Sequence, residues 1–122
     1  MVRKYGIEDF KAIVPWYEAR GYKPSKDMIP PTGFIVPGVA AGFLMKTDTG
    51  ACILEPFIAN PETSKIERNN AINAIMVDLI KEARVLGFSR IFGFSSNEPM
   101  IERALKHGFI VVEESTTVVK EL

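Results

Sequence analysis

Cysteine is nearly missing: Cys52 is the single thiol among 122 residues, so no internal disulfide can form. It has no Cys or His neighbour at metal-ligand spacing, which argues against a zinc site. An excess of charge is missing too, because 15 Lys and Arg residues balance 15 Asp and Glu residues. A neutral chain casts no long-range field on a phosphate backbone or an anionic bilayer, so neither nucleic acid nor membrane is expected as a partner. No run approaches the roughly 18 apolar residues of a membrane-spanning helix. The start M-V-R-K-Y-G-I-E-D lacks the apolar core of a secretion signal, and a soluble, cytoplasmic protein is expected. There are no charge blocks, repeats or low-complexity tracts either. With 47% apolar and 25% charged residues, disorder is excluded, and one globular domain over 1–122 is expected.

What is present follows two periods. Val2 to Tyr5 reads as a short strand, and Asp9 as the cap of a helix carrying Phe10, Ile13, Val14 and Tyr17 at helical spacing. Pro15 is expected to bend that helix or divide it. Gly21 to Thr32 holds three prolines and a glycine and reads as a loop. Phe34 to Val36, Val39 to Lys46 and Ala51 to Ala59 are strand-like and separated by Pro37-Gly38 and Thr47-Asp48-Thr49-Gly50, the pattern of an antiparallel meander. From near Glu67 to Leu86 the period changes. Ile72, Ile75, Met76, Leu79, Ile80, Ala83 and Leu86 make one apolar stripe that Gly87 ends. Ser89 to Phe94 reads as a strand, Asn97 to His107 as a helix stopped by Gly108, and Phe109 to Val112 with Thr116 to Val119 as a closing hairpin. This order demands helices packed on a sheet, an α/β (α+β) fold.

The run I-E-R-N-N-A-I-N-A-I-M, residues 66–76, sets small and polar residues where the long helix is expected to begin. A helix start directly after a strand presents unpaired N–H groups and a positive dipole, the makings of an anion site. Asn69 and Asn73 stand four apart, on the same side as Met76 and Ile80, which sets Asn73 near the sheet.

From Arg68 the run R-N-N-A-I-N-A-I-M resembles the pyrophosphate loop of the GNAT acyltransferases, written R-G-x-G-x-G-x-x-L, with Asn69, Ala71 and Asn73 at the glycine positions. N-E-P-M-I-E-R-A-L-K-H-G-F, from Asn97 to Phe109, resembles the family's N-x-x-A-x-x-x-Y-x-x-x-G-F segment, with Ala104 where the tyrosine stands. E-P-F-I-A-N-P, from Glu55 to Pro61, is similar to its fourth strand with the acidic residue, and Gly42-Phe43 fits the strand before it. The likeness spans nearly the whole chain and is nearest to small, degenerate members such as tailed phages encode.

That resemblance implies a mixed, mostly antiparallel sheet whose splayed parallel strands are flanked by helices. It implies an N-acetyltransferase that moves the acetyl group of acetyl-CoA, a cosubstrate needing no metal, to an amine on a small molecule or a protein. The backbone of Phe57, Ile58 and Ala59 would bond the pantetheine arm. Arg68, Asn69, Asn70, Ala71, Ile72 and Asn73 would hold the pyrophosphate, and Asn97 would contact the arm. Asparagine tolerates unusual dihedrals but fills space that glycine leaves open, so the loop is expected to bind less tightly. The segment Glu62 to Glu67 reads as a longer loop than the family's. Glu55 is the candidate base, since a carboxylate on a buried strand is raised in pKa; the competing reading is a solvent-facing charge on the meander. No tyrosine acid is present.

Other residues have two readings as well. Asn97 fits an ordinary N-cap, Arg68 a helix start, His107 a partner of the helix dipole, and Cys52 a small buried hydrophobe. Tyr5, Trp16, Tyr17 and Tyr22 fit an acceptor pocket, and packing accounts equally for Trp16 and Tyr17. The alternative to an enzyme is a catalytically silent member that binds CoA or serves as an interaction module. Homodimerisation through the hairpin 109–119 belongs to either reading.

Overall fold

Period-two segments become strands in the computed structural model, which describes residues 1–122. They are β1 (Arg3–Lys4), β2 (Thr32–Val36), β3 (Ala40–Met45), β4 (Ala51–Ala59) and β5 (Arg90–Phe92), in one sheet of order β1-β2-β3-β4-β5. The first four are antiparallel neighbours. Their turns match the sequence, with Gly38 at φ 78°, a conformation that a side chain would resist. β4 and β5 run parallel, Ala51 beside Arg90 and Ile53 beside Phe92, and α2 (Lys65–Val85) connects them.

The apolar stripe of α2 lies where its spacing predicts. Ala71, Ile75, Met76, Leu79 and Ala83 are buried, and Ile72 and Ile80 half-buried, in a cluster with Leu44, Cys52 and Leu54 from the sheet. Burying each large aliphatic side chain contributes about 1.5–3 kcal/mol, so this face holds the helix in place. Leu86 departs from the expected stripe: it is the C-cap before Gly87 and is 39% exposed. On the opposite face α1 (Phe10–Glu18) buries Ile13 and Trp16 against Tyr5, Ile35, Phe43 and Ile58. Helices thus cover both faces of the sheet. The last helix, α3 (Glu98–Lys106), buries no residue fully.

Several local expectations are corrected. Asp9 does not cap α1 with its side chain, because a 3-10 turn (Ile7–Asp9) precedes that helix. Its carboxylate accepts from the Gly6 N–H at 2.9 Å and pairs with Arg3 at 2.7 Å. Pro15 leaves α1 in one piece of nine residues, since the single bond it forgoes is outweighed by the anchoring of Ile13 and Trp16. The loop before β2 contains one 3-10 turn (Lys26–Met28), and β2 begins at Thr32. β5 is shorter than Ser89 to Phe94.

The largest correction concerns the C-terminal segment. Residues 109–122 form no strand, and Ile110, Val111, Val112, Val118 and Val119 are 64% to 86% exposed. β-branched residues favour strands through the neighbours that they pack against. A β5 of three residues is a short edge on which to register a hairpin, and it remains the outer strand of the sheet.

Candidate active site

The parallel pair is joined over three residues only: beyond Ile53 and Phe92 no β5 partner continues. From Leu54 to Ala59, β4 therefore presents an edge with no strand beside it, a fork left where β5 ends at Phe92 and β4 continues. Phe57, Ile58 and Ala59, the expected backbone contacts for a pantetheine arm, lie on this free stretch.

Glu55 stands at the base of the fork. β3 and β4 keep register from Ala40–Ala59 to Gly42–Phe57, then shift to Leu44–Leu54, so Glu55 and Pro56 together oppose Phe43. A bulge of this kind turns both of its side chains to the side of the residue opposite. Phe43 belongs to the cluster beneath α1, and Leu54 to the one beneath α2, so alternation also aims Glu55 at the α1 side. The carboxyl is half-buried, and burial pushes its pKa above the ordinary carboxylate range. It is not a freely solvated charge on the meander.

The start of α2 differs from the expected phosphate loop. Helix begins at Lys65, so residues 69–73 lie in its second and third turns, where each N–H is returned to a carbonyl four residues back. As an N–H cradle, Asn69, Asn70, Ala71, Ile72 and Asn73 are therefore corrected. The supposed long loop Glu62 to Glu67 is corrected with them, since half of it is helix. What precedes α2 is a turn organised by Asn60. Its Nδ2 donates to the Gly38 carbonyl at 2.9 Å, its Oδ1 accepts from the Glu62 N–H at 3.0 Å, and its carbonyl accepts from Thr63 Oγ1 at 2.7 Å.

Ser64 caps the helix. Its Oγ accepts from the Glu67 N–H at 3.1 Å, and Glu67 Oε1 accepts from the Ser64 N–H at 3.3 Å. The motif S-x-x-E at 64–67 was readable in the sequence as a capping box. The Lys65 and Ile66 N–H groups carry no partner in the chain. Arg68 donates to the carbonyls of Thr63 and Pro61, which ties the turn to the first part of the helix.

The asparagines of the opening run have another use. Asn69 Oδ1 accepts from Arg103 at 2.7 Å, and Asn73 Oδ1 lies 3.2 Å from His107 Nε2. Two residues four apart on α2 thus meet two residues four apart on α3 and its cap, a polar ladder between helices. Asn73 is exposed and does not face the sheet. Burial lowers the Arg103 pKa, in keeping with its half-covered position. Asn97 is the N-cap of α3, accepting from the Met100 N–H at 3.1 Å. Ala104, half-buried, stands in α3 with no hydroxyl to offer.

Cys52 is buried beneath α2, and burial pushes its thiol pKa up, which fits a packing role. Of the four aromatics, Trp16 is buried and Tyr22 is exposed. Tyr5 and Tyr17 place hydroxyls in the α1 layer without a hydrogen-bond partner. Two hollows lie elsewhere: one of about 270 Å³ near Gly50 and Ser89, the other of about 440 Å³ along Asp27 to Thr32 and Met45. No three metal-ligating side chains converge, and no helix is long and apolar enough to cross a membrane.

No family model matches the chain, and no curated protein matches it in sequence. Solved structures do match in shape. A protein of Agrobacterium tumefaciens provisionally described as an acetyltransferase superposes with a TM-score of 0.71 at 10% identity, covering 98% of this chain and 99% of that one. An acetyltransferase of Trypanosoma brucei gives 0.65 at 15% identity, with 98% and 99% covered. Glucosamine-6-phosphate N-acetyltransferase of Arabidopsis thaliana gives 0.65 at 11% identity, with 99% and 97% covered. Likeness at these identities shows the fold, and the fold is that of the GNAT acetyltransferases.

Proposed function

We propose that this chain is an N-acyltransferase that moves the acetyl group of acetyl-CoA to an amine on a small molecule or a protein, in the cytoplasm. The observation that carries the reading is the fork between β4 and β5 with a desolvated carboxyl, Glu55, at its base. Glucosamine-6-phosphate N-acetyltransferase shares the fold, and a fold alone does not choose an acceptor.

The free edge of β4 fits an extended arm, which Phe57, Ile58 and Ala59 would bond through their backbone, with Asn97 at the facing helix start. At α2 the fit is partial. The Lys65 and Ile66 N–H groups are free to hold a phosphate, while the Glu67 carboxylate occupies the rest of the helix start. Arg68 adds positive charge beside them. When bound, acetyl-CoA supplies a thioester that an amine attacks. Glu55 accepts the ammonium proton, and its raised pKa suits a base working near neutrality. No residue replaces a tyrosine acid at Ala104, so the departing thiolate takes its proton from water.

Calorimetric titration tests this reading with acetyl-CoA and with CoA lacking the acyl group. Binding of acetyl-CoA below millimolar concentration is expected, and Glu67→Ala should tighten it by removing the competing carboxylate. If neither the wild type nor Glu67→Ala binds at millimolar concentration, the reading fails.

A second reading rests on the C-terminal segment. Val111 with Val112 and Val118 with Val119 are two exposed apolar pairs on either side of a polar stretch, and a homodimer would cover them. Light scattering on the chain with and without residues 110–122 decides it: a dimer that survives truncation refutes this assignment.

A further inference from the structure

β4 offers different surfaces on the two sides of Glu55. Beyond it lies the free edge assigned to the pantetheine arm. Before it, β5 occupies the edge, and only the faces of the strand remain. Cys52 and Leu54 are buried beneath α2, whereas Ala51, Ile53 and Glu55, which alternate with them, are half-buried on the α1 side. Register extends this row across the sheet: Ile53 pairs with Met45 on β3 and with Phe92 on β5. Ile91 packs toward α2, so its neighbours Arg90 and Phe92 face the α1 side as well.

α1 does not cover this part of the sheet. Its cluster is built on Tyr5, Ile35, Phe43 and Ile58, and Met45, Ile53 and Phe92 belong to neither cluster. Met45 is 36% exposed and Phe92 42%. An open apolar floor therefore leads up to the proposed base. At the far end of the floor, about 13 Å along β4 from Glu55, Ala51 pairs with Arg90. Arg90 and Phe92 line a hollow of about 270 Å³ together with Thr49, Gly50, Ala51 and Ser89. The hydroxyls of that hollow are engaged: Ser89 donates to the Gly50 carbonyl at 3.2 Å, and Thr49 is bonded to Thr47 at 2.8 Å. The Arg90 guanidinium is free. The ion pairs of the chain, Arg3–Asp9 and Lys4–Glu82, lie elsewhere, and no carboxylate lines the hollow.

We infer that this strip of the α1 side is the acceptor site and that the acceptor is an ω-amino acid, its amine at Glu55, its apolar body over Ile53 and Phe92, and its carboxylate on Arg90. The assignment rests on the acyltransferase reading of the same site and narrows its acceptor. Charge complementarity selects the occupant, because the strip has an acid at one end and a cation at the other. A wholly apolar partner would cover both charges and pair neither, which is costly. A phosphate monoester carries nearly two charges at neutral pH against the single charge of Arg90, so a carboxylate is the better match. Donor and acceptor then approach Glu55 from opposite halves of β4, and neither blocks the other.

The test needs no acyl donor. Protein with ¹³C-methyl isoleucine and methionine, its signals assigned with Ile53→Val and Met45→Leu, is titrated with 4-aminobutanoate, 6-aminohexanoate and 8-aminooctanoate. Alkylamines of the same lengths lack the acid, and 6-aminohexyl phosphate replaces it. The three lengths allow for the reach of the Arg90 and Glu55 side chains toward each other. At least one amino acid should shift the Ile53 and Met45 methyl signals to saturation, and its alkylamine should bind roughly tenfold more weakly for want of one charge-assisted contact. Arg90→Gln should reduce the amino acid to the affinity of the alkylamine, and Arg90→Lys, which keeps the charge, should retain the preference. No methyl shift with any amino acid, equal binding of the two series, a preference that survives Arg90→Gln, or tighter binding of the phosphate overturns the inference. A chain that binds acetyl-CoA but none of these ligands loses this inference alone. One that binds an amino acid through Arg90 but no acetyl-CoA keeps the ligand site and loses the acyltransferase reading.

Discussion

Replacing Arg103 with Ala should release α3 from the domain without unfolding the rest. α3 buries no residue fully, and its apolar contacts with the core come from half-buried Met100, with Phe109 just beyond the helix. Its other ties are the Arg103–Asn69 bond at 2.7 Å and the His107–Asn73 contact at 3.2 Å. A hydrogen bond from a charged donor contributes about 1.5–3 kcal/mol; Arg103 is half-buried and partly hydrated, so a discounted value of about 1–2 kcal/mol applies. The exposed His107 rung adds about 0.5 kcal/mol. Loss of about 1–2 kcal/mol is roughly a 5- to 30-fold change in an opening equilibrium. Hydrogen exchange followed by NMR is the assay. Amides of Ile101 to His107 should lose protection by that factor in Arg103→Ala, while those of Ile75 to Leu79 keep theirs, because local opening need not reach the core. In a double-mutant cycle with Asn69→Ala the coupling should exceed about 0.5 kcal/mol. A uniform loss across both helices, or coupling near zero, would refute the view that the ladder holds α3.

Three further outcomes follow from burial and charge. Leu79 is fully buried in the α2 cluster, so Leu79→Ala should cost about 2–5 kcal/mol by denaturant titration, and a loss well under 1 kcal/mol would contradict its placement. Arg3 and the Gly6 N–H hold the Asp9 carboxyl below the ordinary range, so its contribution is present above the unfolded carboxylate pKa and fades as acid protonates it. Asp9→Asn should therefore be less stable than wild type at pH 7, with the gap closing below about pH 4, and a gap independent of pH would sink the linkage. Burial raises the Glu55 pKa, so its contribution to stability is full below the unfolded value and lost as pH rises through the folded one. Glu55→Gln should melt higher than wild type at pH 7 and no higher at pH 4; under the proposed function it also loses turnover, measured as free thiol released from acetyl-CoA.

The sequence by itself determined the order of elements, the meander from β2 to β4 and the buried stripe of α2. Each of these is written in local periods and turn residues, which physics reads over a few positions. It also placed Asn97 at a cap and Cys52 in the core. Tertiary structure alone decided the rest. Asn69 and Asn73 looked like a phosphate loop because a run of residues does not say where a helix begins; Ser64 and Glu67 start it earlier and turn those asparagines toward α3. Residues 109–119 are rich in β-branched residues like strands, yet a strand exists only beside a partner, and three-residue β5 gives them little edge to join. Glu55 reached the base of a fork through a bulge opposite Phe43 and the early end of the β4–β5 pairing. Both are relations between strands, and a relation between distant segments leaves no period in either one.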